Sequence, residues 1–366
     1  MLSTLAAERA LLARLEHKIL SLNHSLNLLL EEKLAVQKRL DAYVYPVLTL
    51  PNELTAEILL HTLPPYPFCP PLAGPKSPLV LTQVCRLWRE IALATPKLWR
   101  AMALSGSLPV LNLNNLRLDR AGRFPLSIYV NERFLLDEEA ALESVLPYRV
   151  RCEYLQLRLG YESAFEFLSL LDGELPLLRH LDLEFDDECP YNVELAASAA
   201  PLLCSVVLHD LVFDFVVLPW IQLTTLWLHG APLERCVDIL RQVTSLTDCC
   251  LKLVVEEEAY IAEPPITLPH LKSLTLLGDI GMMECIESFM VPALSTLDVS
   301  EKLLGTDPVD TLVYFVSESG CKLQSLCIRD SEPVSDESYD AAFPDIVSFI
   351  DEDVKSHTLP FWRRRQ

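Results

Sequence analysis

Leu223-Thr224-Thr225-Leu226-Trp227-Leu228 places leucine at the first, fourth and sixth positions of a six-residue stretch. In an extended strand successive side chains point to opposite faces, so Leu226 and Leu228 share one face and Trp227 takes the other. One such strand cannot cover its own apolar face. The same L-x-x-L-x-L form, with substitutions, recurs at Cys152 to Leu157, Leu178 to Leu183, Leu203 to Leu208, Leu246 to Leu251, Leu271 to Leu276, Leu294 to Val299 and Leu323 to Ile328. The central residues Leu155, Leu181, Val206, Leu226, Cys249, Leu274, Leu297 and Leu326 are separated by 26, 25, 20, 23, 25, 23 and 29 residues.

Those intervals match leucine-rich repeats, in which neighbouring units stack to close a core that no single unit has. The expected fold class is α/β: a long N-terminal helix, a small all-α module, then an irregular leucine-rich-repeat solenoid over residues 102–330. The competing reading is an ordinary α/β domain with leucine-rich strands. Pro176, Pro201, Pro269 and Pro292 each stand two residues before a first leucine, where they can mark the turn into a strand. Helices are expected between strands, for example Glu162 to Leu171 and Leu233 to Val243, and also over 108–121, where Arg117 to Gly122 offer a basic last turn and a glycine stop. Residues 331–366 read as an acidic C-terminal tail.

The residues between the inward leucines should line the opposite face of the sheet. Among them Val207, Trp227 and Cys250 form an apolar centre beside Asp182 and Glu184, with His209 and His229 following the last leucines of consecutive strands. An outward tryptophan is a residue type enriched at binding hot spots, so these seven positions are the candidate substrate-binding surface. A tail or helix covering that face is the other reading. His209 and His229 should lie side by side at the strand spacing, but two histidines alone make a poor metal site.

Residues 1–44 carry a heptad. Leu5, Leu12, Ile19, Leu26, Lys33 and Leu40 fall seven apart, and Glu8, Leu15, Leu22, Leu29, Val36 and Tyr43 follow each by three. The stripe reads either as a coiled-coil seam, with Lys33 setting register and a homodimer through residues 5–43, or as a face folded back on its own chain, a reading that the extra Leu11, Leu28 and Leu30 support. Pro46 ends the helix.

From Leu50 to Trp99 the pattern is short helices between prolines. Leu50-Pro51-Asn52-Glu53-Leu54-Thr55-Ala56-Glu57-Ile58-Leu59 puts proline and acid in a first turn and Leu54, Ile58 and Leu59 on one face. The proline-rich run Pro64 to Pro78 reads as a stiff inter-helix insertion, or as an extended ligand for an aromatic groove. A second helix is expected from Leu79 through Val84, Cys85, Leu87, Trp88 and Ile91.

Leu50-Pro51-x-Glu53-Leu54-x-x-Glu57-Ile58, with Leu81 to Ala92 and Pro96-x-Leu98-Trp99, resembles the F-box over residues 45–101. Together with the heptad helix, the Tyr45 to Pro51 lead-in and the leucine repeats, the arrangement looks like the F-box-like families of mushroom-forming fungi. The resemblance implies a substrate-recognition subunit of a Skp-cullin-F-box ubiquitin ligase acting in protein degradation, with no catalytic residues of its own. Its partners would be the Skp adaptor and a protein substrate. Leu50, Pro51, Leu54, Ile58, Val84, Cys85, Trp88 and Ile91 would form the core and adaptor face. The long insertion 64–78 departs from many F-boxes. The alternative is a leucine-repeat scaffold that works outside ubiquitination.

Composition narrows the partners. Net charge is -21 at pH 7; residues 1–136 carry about +5 and the remainder about -26. An acidic C-terminal half argues against nucleic acid as partner. The longest apolar stretch, Leu211 to Ile221, is too short for a bilayer and holds Asp214, and the N-terminus has no export signal. The expected setting is intracellular, cytoplasmic and/or nuclear, with the 11 cysteines as buried thiols. No nucleophile elbow, zinc-protease motif or phosphate loop occurs, so neither catalysis, metal nor cofactor is expected.

Overall fold

The structure is a computed structural model that describes residues 2–43, 45–71, 74–106, 117–135, 138–160, 168–185, 193–209, 212, 216–254, 262–278, 285–329, 336–344 and 346–350. The chain divides into two units, Met1–Ile58 and Leu59–Gln366.

In the first unit α1 spans Leu2–Asp41, 40 residues without a break, a length of about 60 Å at the helical rise. Lys38 and Arg39 sit in its last turn, where cations offset the partial negative charge of the terminal carbonyls. Every seam position from Leu5 to Tyr43 is exposed. A 3-10 turn, Pro46–Thr49, follows, and α2 starts at Asn52 and runs to His61. The Thr55 N–H and hydroxyl both donate to the Pro51 carbonyl, tying down the first turn.

In the second unit the expected helix from Leu79 to Ile91 is two helices, α3 (Pro78–Val84) and α4 (Arg86–Leu93). Cys85 between them is extended, at φ -156°, and its sulfur accepts the Trp88 N–H at 3.4 Å. A side chain that can cap a helix start competes with the helix interior, and periodicity alone ran through that break. Trp99 is fully buried, with its indole N–H donating to the Ala92 carbonyl at 2.8 Å.

An 11-stranded sheet follows. Its strands are β1 (Ala101–Gly106), β2 (Leu126–Leu135), β3 (Cys152–Leu159), β4 (His180–Phe185), β6 (Ser205–His209), β8 (Thr225–Ala231), β9 (Asp248–Leu253), β11 (Ser273–Leu277), β13 (Thr296–Ser300), β14 (Ser325–Arg329) and β15 (Val347–Ile350). They lie side by side in that order, and every neighbouring pair is parallel. The remaining four are two-residue strands that pair with each other, β5 (Val193–Glu194) with β7 (Val216–Val217) and β10 (Ile266–Thr267) with β12 (Phe289–Met290). Because each strand of the sheet lies beside the next one in the chain, the central residues from Leu155 to Leu326 form one continuous buried row, flanked by a second from Leu157 to Ile328.

The prolines before the strands sit in a recurring turn. The first leucine of six segments donates its N–H to the carbonyl three residues earlier: Leu178 to Leu175, Leu203 to Ala200, Leu223 to Trp220, Leu246 to Val243, Leu271 to Leu268 and Leu294 to Val291. Pro176, Pro201, Pro269 and Pro292 therefore occupy the second position of such a turn, whose φ the ring pre-sets and whose N–H is not needed.

Three elements differ from the sequence reading. β1 and β2 extend the sheet before the first recognised repeat, with Leu126-Ser127-Ile128-Tyr129-Val130 as an ordinary alternation. The stretch read as a tail from residue 331 contributes a helix, Asp336–Ala342, and β15, which pairs with β14. The connections are also less helical than expected. α5 (Glu138–Val145), α6 (Leu233–Leu240) and α7 (Pro308–Ser319) are helices, whereas the links containing β5, β7, β10 and β12 use paired extended pieces. Of the helix expected at Glu162 to Leu171, residues 162–167 lie outside the described residues and 169–171 form a turn. For 108–121, residues 117–120 are helical, Gly122 takes φ +60°, and 108–116 lie outside the described residues.

Leu226 is fully buried in the middle of its row. Leu226→Ala should lower unfolding stability by about 2–5 kcal/mol, measured by urea denaturation followed by circular dichroism.

Candidate functional site

Within the first unit, Leu54 and Ile58 stand one helical turn apart on α2 and are 54% and 41% exposed. Leu50 is half-buried and Pro51 exposed. On the adjacent stripe, about 100° further round the helix, Thr55 and Leu59 stand one turn apart and are buried. The helix thus carries two stripes, of which only one is covered. In the second unit Val84 is 57% exposed at the end of α3, Cys85 caps α4, and Trp88 is half-buried. Ile91 is 6% exposed and belongs to the core, so it is corrected out of the expected docking face. The period-3.6 stripe that selected Ile91 does not distinguish a residue covered by its own chain from one left open.

The outer face of the sheet is as the alternation required. Gln156, Asp182, Val207, Trp227, Cys250, Thr275, Asp298 and Cys327 stand in one register across eight strands, and Arg158, Glu184, His209, His229 and Lys252 in the next. The structure brings all seven candidate residues together. Val207, Trp227 and Cys250 form one cluster. Trp227 stacks on His229 with centroids 5.8 Å apart, and the His209 and His229 rings lie 4.8 Å apart. The Asp182 carboxylate accepts the Gln156 amide N–H at 2.8 Å and lies 3.2 Å from His209 Nε2, while Arg158 pairs with Glu184 at 3.1 Å.

The expectation of an open apolar centre needs correction. Trp227 is 3% exposed, and Val207, Cys250 and Asp182 are also buried; alternation fixes the face a side chain points to, not whether that face is covered. The half-buried Glu184, His209 and His229 are the accessible part. No group of three His, Cys, Asp or Glu suited to a metal occurs among the described residues. Cys152, Cys236 and Cys285 are buried thiols, each pushed up to about 12 by desolvation and therefore neutral.

A third cluster was missed. The proline-rich segment packs on the outer face at the N-terminal end of the sheet. Tyr66 donates its hydroxyl to Glu153 at 2.8 Å, the Arg100 guanidinium lies 3.6 Å over its ring, and its edge meets Tyr154 at 5.3 Å. Tyr154 in turn stacks on His180 at 4.3 Å and 8°. Ser127 donates to the Pro67 carbonyl at 2.6 Å, and Cys69 reaches the Ser127 carbonyl at 3.6 Å. Between segment and sheet lies a cavity of about 250 Å³ lined by Phe68, Pro71, Tyr129, Tyr154, Gln156 and His180, among others. The Glu153 partner of Tyr66 stands 87 residues away in the chain; the only local signal was an aromatic on either side of Pro67.

Burial, then the charge of Arg179, holds His180 down at about 4. The unfolded state then binds the extra proton between pH 6.5 and 4, so this contribution to stability is complete above pH 6.5 and lost as pH falls towards 4. The unfolding free energy from urea titration should fall over that window by an amount on the order of 3 kcal/mol, and His180→Phe, which keeps a ring on Tyr154, should flatten the drop. Tyr66→Phe leaves Glu153 without this donor and should cost about 1–3 kcal/mol, read from the same titration at pH 7.

No curated protein matches the chain. The helical segment just described carries a family match: residues 47–105, from the turn before Pro51 through β1, are similar to the F-box-like family.

Proposed function

We propose that this chain is the substrate-recognition subunit of a Skp-cullin-F-box ubiquitin ligase. Its F-box-like segment holds the Skp adaptor, and the sheet, read as irregular leucine-rich repeats, holds a protein substrate. The observation that carries the first half is the open stripe of α2: Leu54 and Ile58 stay exposed on a helix whose adjacent stripe, Thr55 and Leu59, is buried, within the segment 47–105 that matches the F-box-like family. Exposed leucine and isoleucine one turn apart are what a groove on another protein takes up. Val84 and Trp88 supply further apolar surface of the same segment.

The second half rests on the sheet. Its outer face carries polar side chains held by their neighbours across strands, Arg158 with Glu184 and His209 with Asp182, and ends in charges that protein surfaces can match. In this role the chain supplies position and selection while other subunits supply the chemistry. It would act in the cytoplasm or nucleus. No helix is long and apolar enough to cross a membrane among the described residues.

The test is adaptor capture. Purified full chain is titrated with the Skp adaptor by isothermal calorimetry, beside Leu54→Asp/Ile58→Asp, which alters only exposed positions of α2. A loss of affinity of about 100-fold or more is expected for removal of two central apolar anchors, with the thermal unfolding profile unchanged. Equal affinity of both proteins for the adaptor, or none for either, would rule the assignment out and leave a leucine-repeat scaffold outside ubiquitination.

A further inference from the structure

The seam of α1 holds two charged residues, Glu8 and Lys33, and their placement specifies a partner. A helix of 40 residues with an exposed stripe of leucines has to bury that stripe against something. Along the seam the steps alternate between three and four residues. Two copies running the same way therefore set each position against itself: Lys33 would face Lys33 and Glu8 would face Glu8, two like-charge layers in an apolar interface.

Running the second copy in the opposite direction matches the three- and four-residue steps only if the Leu5 set faces the Glu8 set. One such register gives the layers Leu5 with Val36, Leu12 with Leu29, Ile19 with Leu22, Leu26 with Leu15, and Lys33 with Glu8 of the second copy. By symmetry the charge pair forms twice, near the two ends, and the layers between are wholly apolar. A slip of one heptad either way sets Glu8 against Leu26 or Leu40 and leaves Lys33 without it. The charge-paired register also centres the two-fold axis between Ile19 and Leu22, close to the middle of Leu2–Asp41, so the helices overlap along nearly their whole length. Flanking residues do not favour either direction: in the antiparallel register Glu16 meets Asn23 and Lys18 meets Ser25, and in the parallel one Lys18 meets Asn23 and Glu32 meets Gln37.

We infer that α1 is an antiparallel homodimerisation helix, its register set by Lys33 of each copy paired with Glu8 of the other. The two copies of Asp41 then lie about 60 Å apart at opposite ends. The F-box-like segments of the two copies are thus joined to opposite ends of the paired helices. This does not depend on what those segments bind.

The experiment is a charge cycle on the full chain, with the dimer dissociation constant measured by sedimentation equilibrium. Glu8→Lys alone sets a new lysine against Lys33 twice, and Lys33→Glu alone sets a new glutamate against Glu8 twice. Each should raise the dissociation constant about tenfold, since two opposite-charge layers near the ends of the seam become two repulsions. The double exchange Glu8→Lys/Lys33→Glu restores opposite charges and should restore the native value. A parallel dimer responds differently, because single exchanges there replace one like pair by another and the double exchange rescues nothing; that result would overturn the inference. A monomer at all concentrations, with the seam folded on its own chain or kept for a different protein, would overturn it too, as would a tetramer.

Discussion

Each strand of the sheet presents a leucine face it cannot bury alone, and the structure answers by laying every strand beside its predecessor in parallel. Because the order of strands follows the order of the chain, Leu155, Leu181, Val206, Leu226, Cys249, Leu274, Leu297 and Leu326 become one buried row. That row fixes register, since a slip of one residue would turn every leucine outward. Register in turn places Asp182, Val207, Trp227 and Cys250 in line on the opposite face. The recurring turns serve the same end, reversing the chain at a constant distance before six of the strands, four of them marked by proline, while the connections between vary from helices to two-residue strands.

The proline-rich segment, Pro64 to Pro78, is the second constraint. Within the second unit it is held by Tyr66 and Pro67 on β2 and β3, through the Tyr66–Glu153 hydrogen bond, the Arg100 cation over the same ring and the Ser127 hydroxyl. Left unattached, an insertion of this length would let α3 and α4 drift, because lengthening a loop changes its closure entropy only slowly and does little to hold its ends in place. Docked as it is, the segment that leads into α3 is fixed to β2 and β3 at Tyr66, Pro67 and Cys69.

The readings that succeeded and those that needed correction divide along one line. Leu226 and Trp227 could be assigned to opposite faces because strand alternation is a property of the backbone. Leu54 and Ile58 could be placed on one stripe because helical period is too. Ile91 and Trp227 were each assigned to the right stripe or face, yet both are buried, and exposure depends on what other segments come to lie over them. The break at Cys85 escaped notice because a thiol capping a helix has the same period before and after it. β15 escaped because Val347 to Ile350 is too short and too isolated to resemble the repeats, and only pairing with β14 makes it a strand.

What the sequence determined by itself is local and periodic: the heptad of α1, the α2 pattern behind Pro51, the recurring strands at intervals of 20 to 29 residues, and the side of the sheet on which each residue falls. These follow from backbone geometry, which repeats every 3.6 residues in a helix and every two in a strand whatever the rest of the chain does. What only the tertiary structure decided is coverage and long-range pairing: that Trp227 is buried while Leu54 is not, that Tyr66 finds Glu153, and that the sheet starts at Ala101 and ends at Ile350. Such contacts join segments far apart in the chain, and no local pattern records which of two stripes another segment will come to cover.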